Sequence, residues 1–130
     1  MDAMSRRVIS TKKAVKPLGA YSQAIVTGNL VFVAGQAGLN PKTVKAPKGI
    51  KAQTRQALEN IKAVLEASGT SLENVVRVGV FLRDIDDFDA YNKTYLEYFP
   101  KDQPARITVQ GKLYGKLLIE AEAIAVIPGK

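Results

Sequence analysis

Val75-Val76-Arg77-Val78-Gly79-Val80-Phe81-Leu82-Arg83 is the stretch on which the fold turns. It is β-branched and mostly apolar on both faces, the pattern of a strand buried on both sides and therefore central in its sheet. Upstream, Ile50, Ala57, Leu58, Ile61, Val64 and Leu65 recur at helical spacing. That spacing predicts a helix over 50–68, which Gly69 stops in the left-handed conformation. Downstream, Phe88, Tyr91, Tyr95 and Phe99 form the apolar stripe of a second helix, with Asp86 as its N-cap and Pro100 as its stop. Further out, 6–10 reads as a short edge strand. Residues 24–26 and 30–34 read as a hairpin in which Gly28-Asn29 supplies the positive φ values of a two-residue turn. The stretch 35–49, with Asn40-Pro41 and Pro47, is a loop, and 106–110 and 117–127 are the last strands.

The resulting order, β-β-β-α-β-α-β-β, is that of an α+β domain with a mixed six-stranded sheet. No repeat or linker interrupts it, so residues 1–130 read as a single domain. Each strand–helix–strand passage is expected to cross over right-handedly and leave its two strands as parallel neighbours. Both helices then pack on one face. The other face stays bare and apolar in a single copy, which predicts self-association.

Composition narrows the chemistry. The chain has 130 residues, no cysteine and no histidine. Thiol nucleophiles, Ser-His-Asp triads and zinc sites of the usual ligand types are thereby excluded, and no metal or cofactor is expected. Reactivity has to run on carboxylates, Arg, Lys, Tyr, hydroxyls and backbone amides. Nineteen basic residues against 12 acidic give a net charge of +7, concentrated near Arg6, Arg7, Lys12, Lys13 and Lys16 and around Lys42, Lys45, Lys48 and Lys51. Such a charge suits anionic ligands but does not specify them. No apolar run approaches the ~18 residues that span a bilayer, and no leader is recognisable at the N-terminus. A cytoplasmic location with no membrane partner is the expectation.

Several residues break the apolar pattern. In the last strand, Leu117-Leu118-Ile119-Glu120-Ala121-Glu122-Ala123-Ile124, two carboxylates share one face. Either they are solvated and meet lysines across the sheet, or at least one is a base held in a cleft with a pKa shaped by its surroundings. Arg106 shares a strand face with Thr108 and Gln110. It is either a rim residue or carboxylate partner, or a planar fork for a substrate carboxylate. Tyr21 is a core tyrosine or a pocket residue. Asn92, on the stripe of the second helix, is a buried amide or a ligand contact. Gly35 permits close approach, either by a turn or by a ligand.

Together, Gly19-Ala20-Tyr21-Ser22-Gln23-Ala24, Val33-Ala34-Gly35-Gln36, the helix from Gln53 to Asn60, Val80-Phe81-Leu82-Arg83-Asp84, Asn92 with Tyr95, Pro104-Ala105-Arg106 and Glu120-Ala121-Glu122-Ala123 resemble the RidA/YjgF family of reactive-intermediate (enamine/imine) deaminases. The resemblance implies a chorismate-mutase-like fold, a homotrimer, and a site between subunits. It also implies cofactor-independent hydrolysis of 2-imino or enamine acids, such as 2-iminobutanoate and 2-iminopropanoate, to 2-oxo acids and ammonia. By that resemblance Arg106 binds the substrate carboxylate and Glu120 positions the hydrolytic water, with Glu122 the competing candidate. Tyr21, Gly35, Asn92 and Thr108 complete the pocket. The chain departs from the family pattern at Ala20 (usually proline), Ala34 (usually serine or threonine) and Tyr114 (usually proline), and its last turn is one residue shorter. The chemistry suits a chain without histidine, because a C=N carbon is already electrophilic and needs only orientation and an activated water.

Two other readings are RNA binding, as in an endoribonuclease-type translation inhibitor, and a non-catalytic sensor of small carboxylates. The net charge favours the first. No RNA-binding motif accompanies it, and the aromatics are five tyrosines and four phenylalanines, several of them committed to a helix stripe.

Overall fold

The computed structural model describes residues 5–129. Its elements are β1 (Arg6–Ile9), β2 (Ala24–Thr27), β3 (Leu30–Ala37), α1 (Ile50–Ala67), β4 (Val75–Leu82), α2 (Phe88–Tyr98), β5 (Ala105–Gln110) and β6 (Ile119–Val126). All six strands form one sheet in the order β1-β2-β3-β6-β4-β5. Only β4 and β5 are parallel neighbours; every other adjacent pair is antiparallel. The expectation of two parallel neighbour pairs is therefore corrected. Around α2 it holds, but β6 inserts between β3 and β4 and pairs antiparallel with both. The handedness of a crossover does not fix how many strand positions it skips.

Local chemistry sets most boundaries. The last turn of α1 closes as a Schellman motif. Thr70 N–H donates to Leu65 O and Gly69 N–H to Glu66 O, with Gly69 at φ 92°, a conformation that glycine adopts without penalty. In the β2–β3 turn only Gly28 takes positive φ and Asn29 does not, contrary to expectation. The predicted cap of α2 also moves. Asp84, not Asp86, accepts a backbone hydrogen bond, from Asp86 N–H at 2.9 Å. A 3-10 turn over Ile85–Asp87 then leads into the helix. Strand β3 runs on to Ala37 through a register shift between Val33 and Gln36, so 35–37 is strand rather than loop. Leu117 and Leu118 fall before β6 begins.

Residues directly opposite across a ladder point to the same side of a sheet, and this sorts the side chains into two faces. Val31, Val33, Val78, Val80, Ala121, Ala123 and Ala125 face α1 and α2 and form the core with Leu58, Ile61, Val64, Leu65, Tyr91 and Tyr95. Small alanines along β6 leave room for the large side chains of α1, the large-on-small alternation that fills a core without voids. Among the described residues the other face carries no helix. Phe32, Phe81, Ile107 and Val109 stand exposed on it, the bare apolar surface expected from the element order. Among the described residues, no helix is long and apolar enough to cross a membrane.

Candidate active site

Glu120 lies on the bare face. It pairs across the ladders with Ala37 on one side and Phe81 on the other, and Phe81 in turn pairs with Val109. Its carboxylate rests on Gly35, where a Cβ would collide with Glu120 Oε1. The close approach that Gly35 permits is thus to a side chain of its own chain, not to a turn. Glu120 forms the floor of a cleft of about 660 Å³ lined also by Val15, Lys16, Leu18, Tyr21, Ala34, Leu39, Tyr114 and Leu117. Half-burial in these walls pushes its pKa up, and the negative charge of Glu122 pushes it further in the same direction; both act by disfavouring the ionised form. Such a carboxylate binds a proton more readily than one in water, which is the property a general base requires.

Tyr21 is 50% exposed and lines this cleft, so it is not a core residue. Its hydroxyl accepts a hydrogen bond from Leu18 N–H at 3.2 Å. Glu122 sits one pleat away in a separate hollow of about 120 Å³ with Phe32, Arg77 and Gly79. It reaches the Glu120 carboxylate only as a charge.

Arg106 lies on the opposite face. It pairs with Val78, and Thr108 pairs with Val80, both core residues. Its guanidinium carbon sits 4.5 Å from the Tyr95 ring centroid, 5.2 Å from Tyr91 and 5.5 Å from Phe88, within cation–π range of all three. Nη1 donates to Asn92 Oδ1 at 2.8 Å. Asn92 is thus a residue that aims the guanidinium. The Thr108 and Tyr91 hydroxyls share a hydrogen bond. Burial lifts the Tyr95 phenol to about 12, so it stays neutral beside the cation. Among the described residues the one ion pair is Arg55–Glu97; Arg106 has no carboxylate partner. It opens onto a hollow of about 300 Å³ lined by Asn92, Tyr95, Leu96, Gln103 and Pro104.

The backbone beside it is exposed in a defined way. Gly111 N–H donates to Leu82 O of β4. With a two-residue period, the N–H groups of Ile107 and Val109 also face β4, and those of Arg106 and Thr108 face the open edge of the sheet. The guanidinium and the Thr108 amide therefore flank the same edge. Within one chain, then, Arg106, Asn92 and Thr108 are brought together, as are Glu120, Gly35 and Tyr21, but the two groups lie on opposite faces. A single copy does not bring Arg106 and Glu120 together, and the resemblance implies a site between subunits rather than within one. Arg106 is likewise no partner for Glu122.

Three contributors went unassigned in the sequence. Lys16 is the cationic side chain lining the Glu120 cleft. Arg83 straps the loop before β6: Nε donates to Leu117 O at 2.7 Å, and Nη2 to Leu113 O at 2.6 Å and Gly115 O at 2.8 Å. Gln53 accepts from Leu118 N–H at 2.8 Å and donates to Pro47 O at 3.0 Å. An arginine closing an apolar strand was a visible signal. Gln53, on a helix with ordinary spacing, gave none.

The sequence pattern of the family described as Endoribonuclease L-PSP matches residues 11–127. The chain belongs to this family. A RutC family protein of Pyrococcus horikoshii is 53% identical over 122 residues, covering 92% of this chain and 97% of that protein. A protein of Dermatophagoides farinae named 2-iminobutanoate/2-iminopropanoate deaminase is 43% identical over 124 residues, covering 94% and 97%. The crystal structure of RidA from an Antarctic Psychrobacter superposes with a TM-score of 0.91 at 41% identity, covering 93% of this chain and 99% of that one. The RidA/YjgF resemblance and its α+β fold are thereby established.

Proposed function

We propose that this family member is a hydrolytic deaminase of 2-imino acids, working at a site completed by a second copy of the chain. The observation that carries this reading is the half-buried Glu120 carboxylate, seated on Gly35 in an apolar cleft with its pKa raised. The name of the Dermatophagoides relative supports the same reading. The ionised carboxylate takes a proton from water as the oxygen attacks the imine carbon. A C–O bond forms, the C=N bond becomes single, and the nitrogen takes the proton that Glu120 has just received. Glu120 then takes the hydroxyl proton of this adduct and passes it to the nitrogen, the C–N bond breaks as the C=O bond forms, and ammonia and the 2-oxo acid are left.

The substrate carboxylate needs a cation, and Arg106, on the edge strand β5, makes no ion pair among the described residues and lines an open hollow. Because Arg106 and Glu120 occupy opposite faces, two copies related head to tail bring the β5 edge of one to the Glu120 cleft of the next. Contacts of that kind close into a ring when the rotation between copies closes, and the ring of three that the family resemblance implies is the assembly proposed. The exposed Phe32, Phe81, Ile107 and Val109 are the surface such a ring would bury. An RNA-cleaving role is less well served, since Glu120 and Glu122 place negative charge on this face, where phosphates are repelled.

The test generates an imine with a threonine dehydratase or an amino-acid oxidase in the presence of semicarbazide, which traps free imine. Added protein should suppress the semicarbazone, and Glu120→Gln should not. Equal suppression by Glu120→Gln would show that this carboxylate is not the base.

A further inference from the structure

The walls of the Glu120 cleft are mostly apolar: beside Lys16 and Gln36 they are built from Val15, Leu18, Leu39, Leu117 and the rings of Tyr21 and Tyr114. Ala34 lines it too and has no hydroxyl to offer a polar substituent. Tyr114 is the unusual member: it is 90% exposed, so its ring contributes almost nothing to the fold. Yet the loop that carries it is held by Arg83 through the carbonyls of Leu113, Gly115 and Leu117. An aromatic ring left in water on a fastened loop at a cleft mouth is placed to cover an apolar group.

We infer that this site prefers 2-imino acids with large apolar or aromatic side chains, and that Tyr114 is the residue that sets the preference. This rests on the deaminase reading above. The substrate's carboxylate and C=N group lie toward Arg106 and Glu120, while its side chain points outward beneath the Tyr114 ring. Removing a few buried carbon atoms from a substrate lowers kcat/KM by a factor of 10 or more in apolar pockets, so at least about a tenfold preference is expected for the imine of phenylalanine over that of alanine.

The test uses the full chain with imines made in place by an amino-acid oxidase from phenylalanine, leucine and alanine, each scored by semicarbazone suppression. The expected order of kcat/KM is phenylalanine, then leucine, then alanine. Tyr114→Ala should bring the phenylalanine-to-alanine ratio close to one, and Tyr114→Phe should keep it. Equal rates on the three imines, or a preference for alanine, would overturn the inference while leaving the deaminase reading intact. So would a ratio unchanged in Tyr114→Ala. A shift of Tyr114→Ala to a smaller species in size-exclusion chromatography would assign the ring to assembly instead and overturn it equally. No turnover of any imine would sink both.

Discussion

Gly35→Ala isolates the placement of the catalytic carboxylate. Gly35 does not need glycine for its backbone, since its φ is not among the positive ones. The three atoms nearest an added Cβ all belong to the Glu120 side chain: Oε1 in collision, Cδ at 3.3 Å and Cγ at 3.4 Å. The neighbour is the end of a flexible, half-exposed side chain, so the strand can keep its course while the carboxylate swings away by about 1 Å. Displacing a catalytic group by that much costs on the order of 100-fold in rate. The folding cost should fall at or below the low end of overpacking, about 1 kcal/mol, because no backbone has to move. The expected result is therefore a kcat/KM near 1% of wild type in the imine-trapping assay, with a thermal midpoint within a few degrees. Wild-type kcat/KM in Gly35→Ala would refute the reasoning, as would a loss explained by unfolding.

Other outcomes follow from the same geometry. Arg106→Lys abandons the planar fork and its three-ring cradle, and loss of one charged hydrogen bond of about 2 kcal/mol predicts a roughly 30-fold lower kcat/KM. The rate should rise with pH as Glu120 ionises, with a midpoint above the ordinary glutamate value. Glu122→Gln removes the repulsion that raises it, so a pH–rate profile should show the midpoint moving down; an upward shift would contradict the assignment. Phe81→Asp puts a charge in the centre of the bare face and should give a folded monomer by analytical ultracentrifugation, inactive because its half-sites stay apart. Arg83→Ala frees the 113–117 loop, and hydrogen exchange should quicken there while β3 and β6 stay protected.

Much of this was legible from residue patterns. Helical spacing gave α1 and α2 nearly to their ends, and the doubly apolar run at 75–83 correctly placed β4 between two partners. Two-residue periodicity put Glu120 and Glu122 on one face. It also put Arg106 with Thr108. What periodicity cannot supply is how the faces of separate strands align, because that depends on register set by the whole sheet. For the same reason the insertion of β6 between β3 and β4 was hidden. The role of Gly35 was half visible: its missing side chain advertises a close approach, but which atom approaches comes from a strand more than eighty residues away. Lys16 and Gln53 act through placement and hydrogen bonds, which leave no mark on hydrophobic spacing, while Arg83 broke the apolar pattern visibly but its loop partners did not show.

Mixing two inactive variants tests the central claim most directly. Arg106→Ala keeps Glu120, Glu120→Gln keeps Arg106, and each alone should be inactive. If every site takes its arginine from one copy and its glutamate from the next, random co-assembly of equal amounts restores both groups at about a quarter of the sites. Activity near that fraction of wild type is the predicted result. Mixed assemblies as inactive as the separate variants would contradict the account.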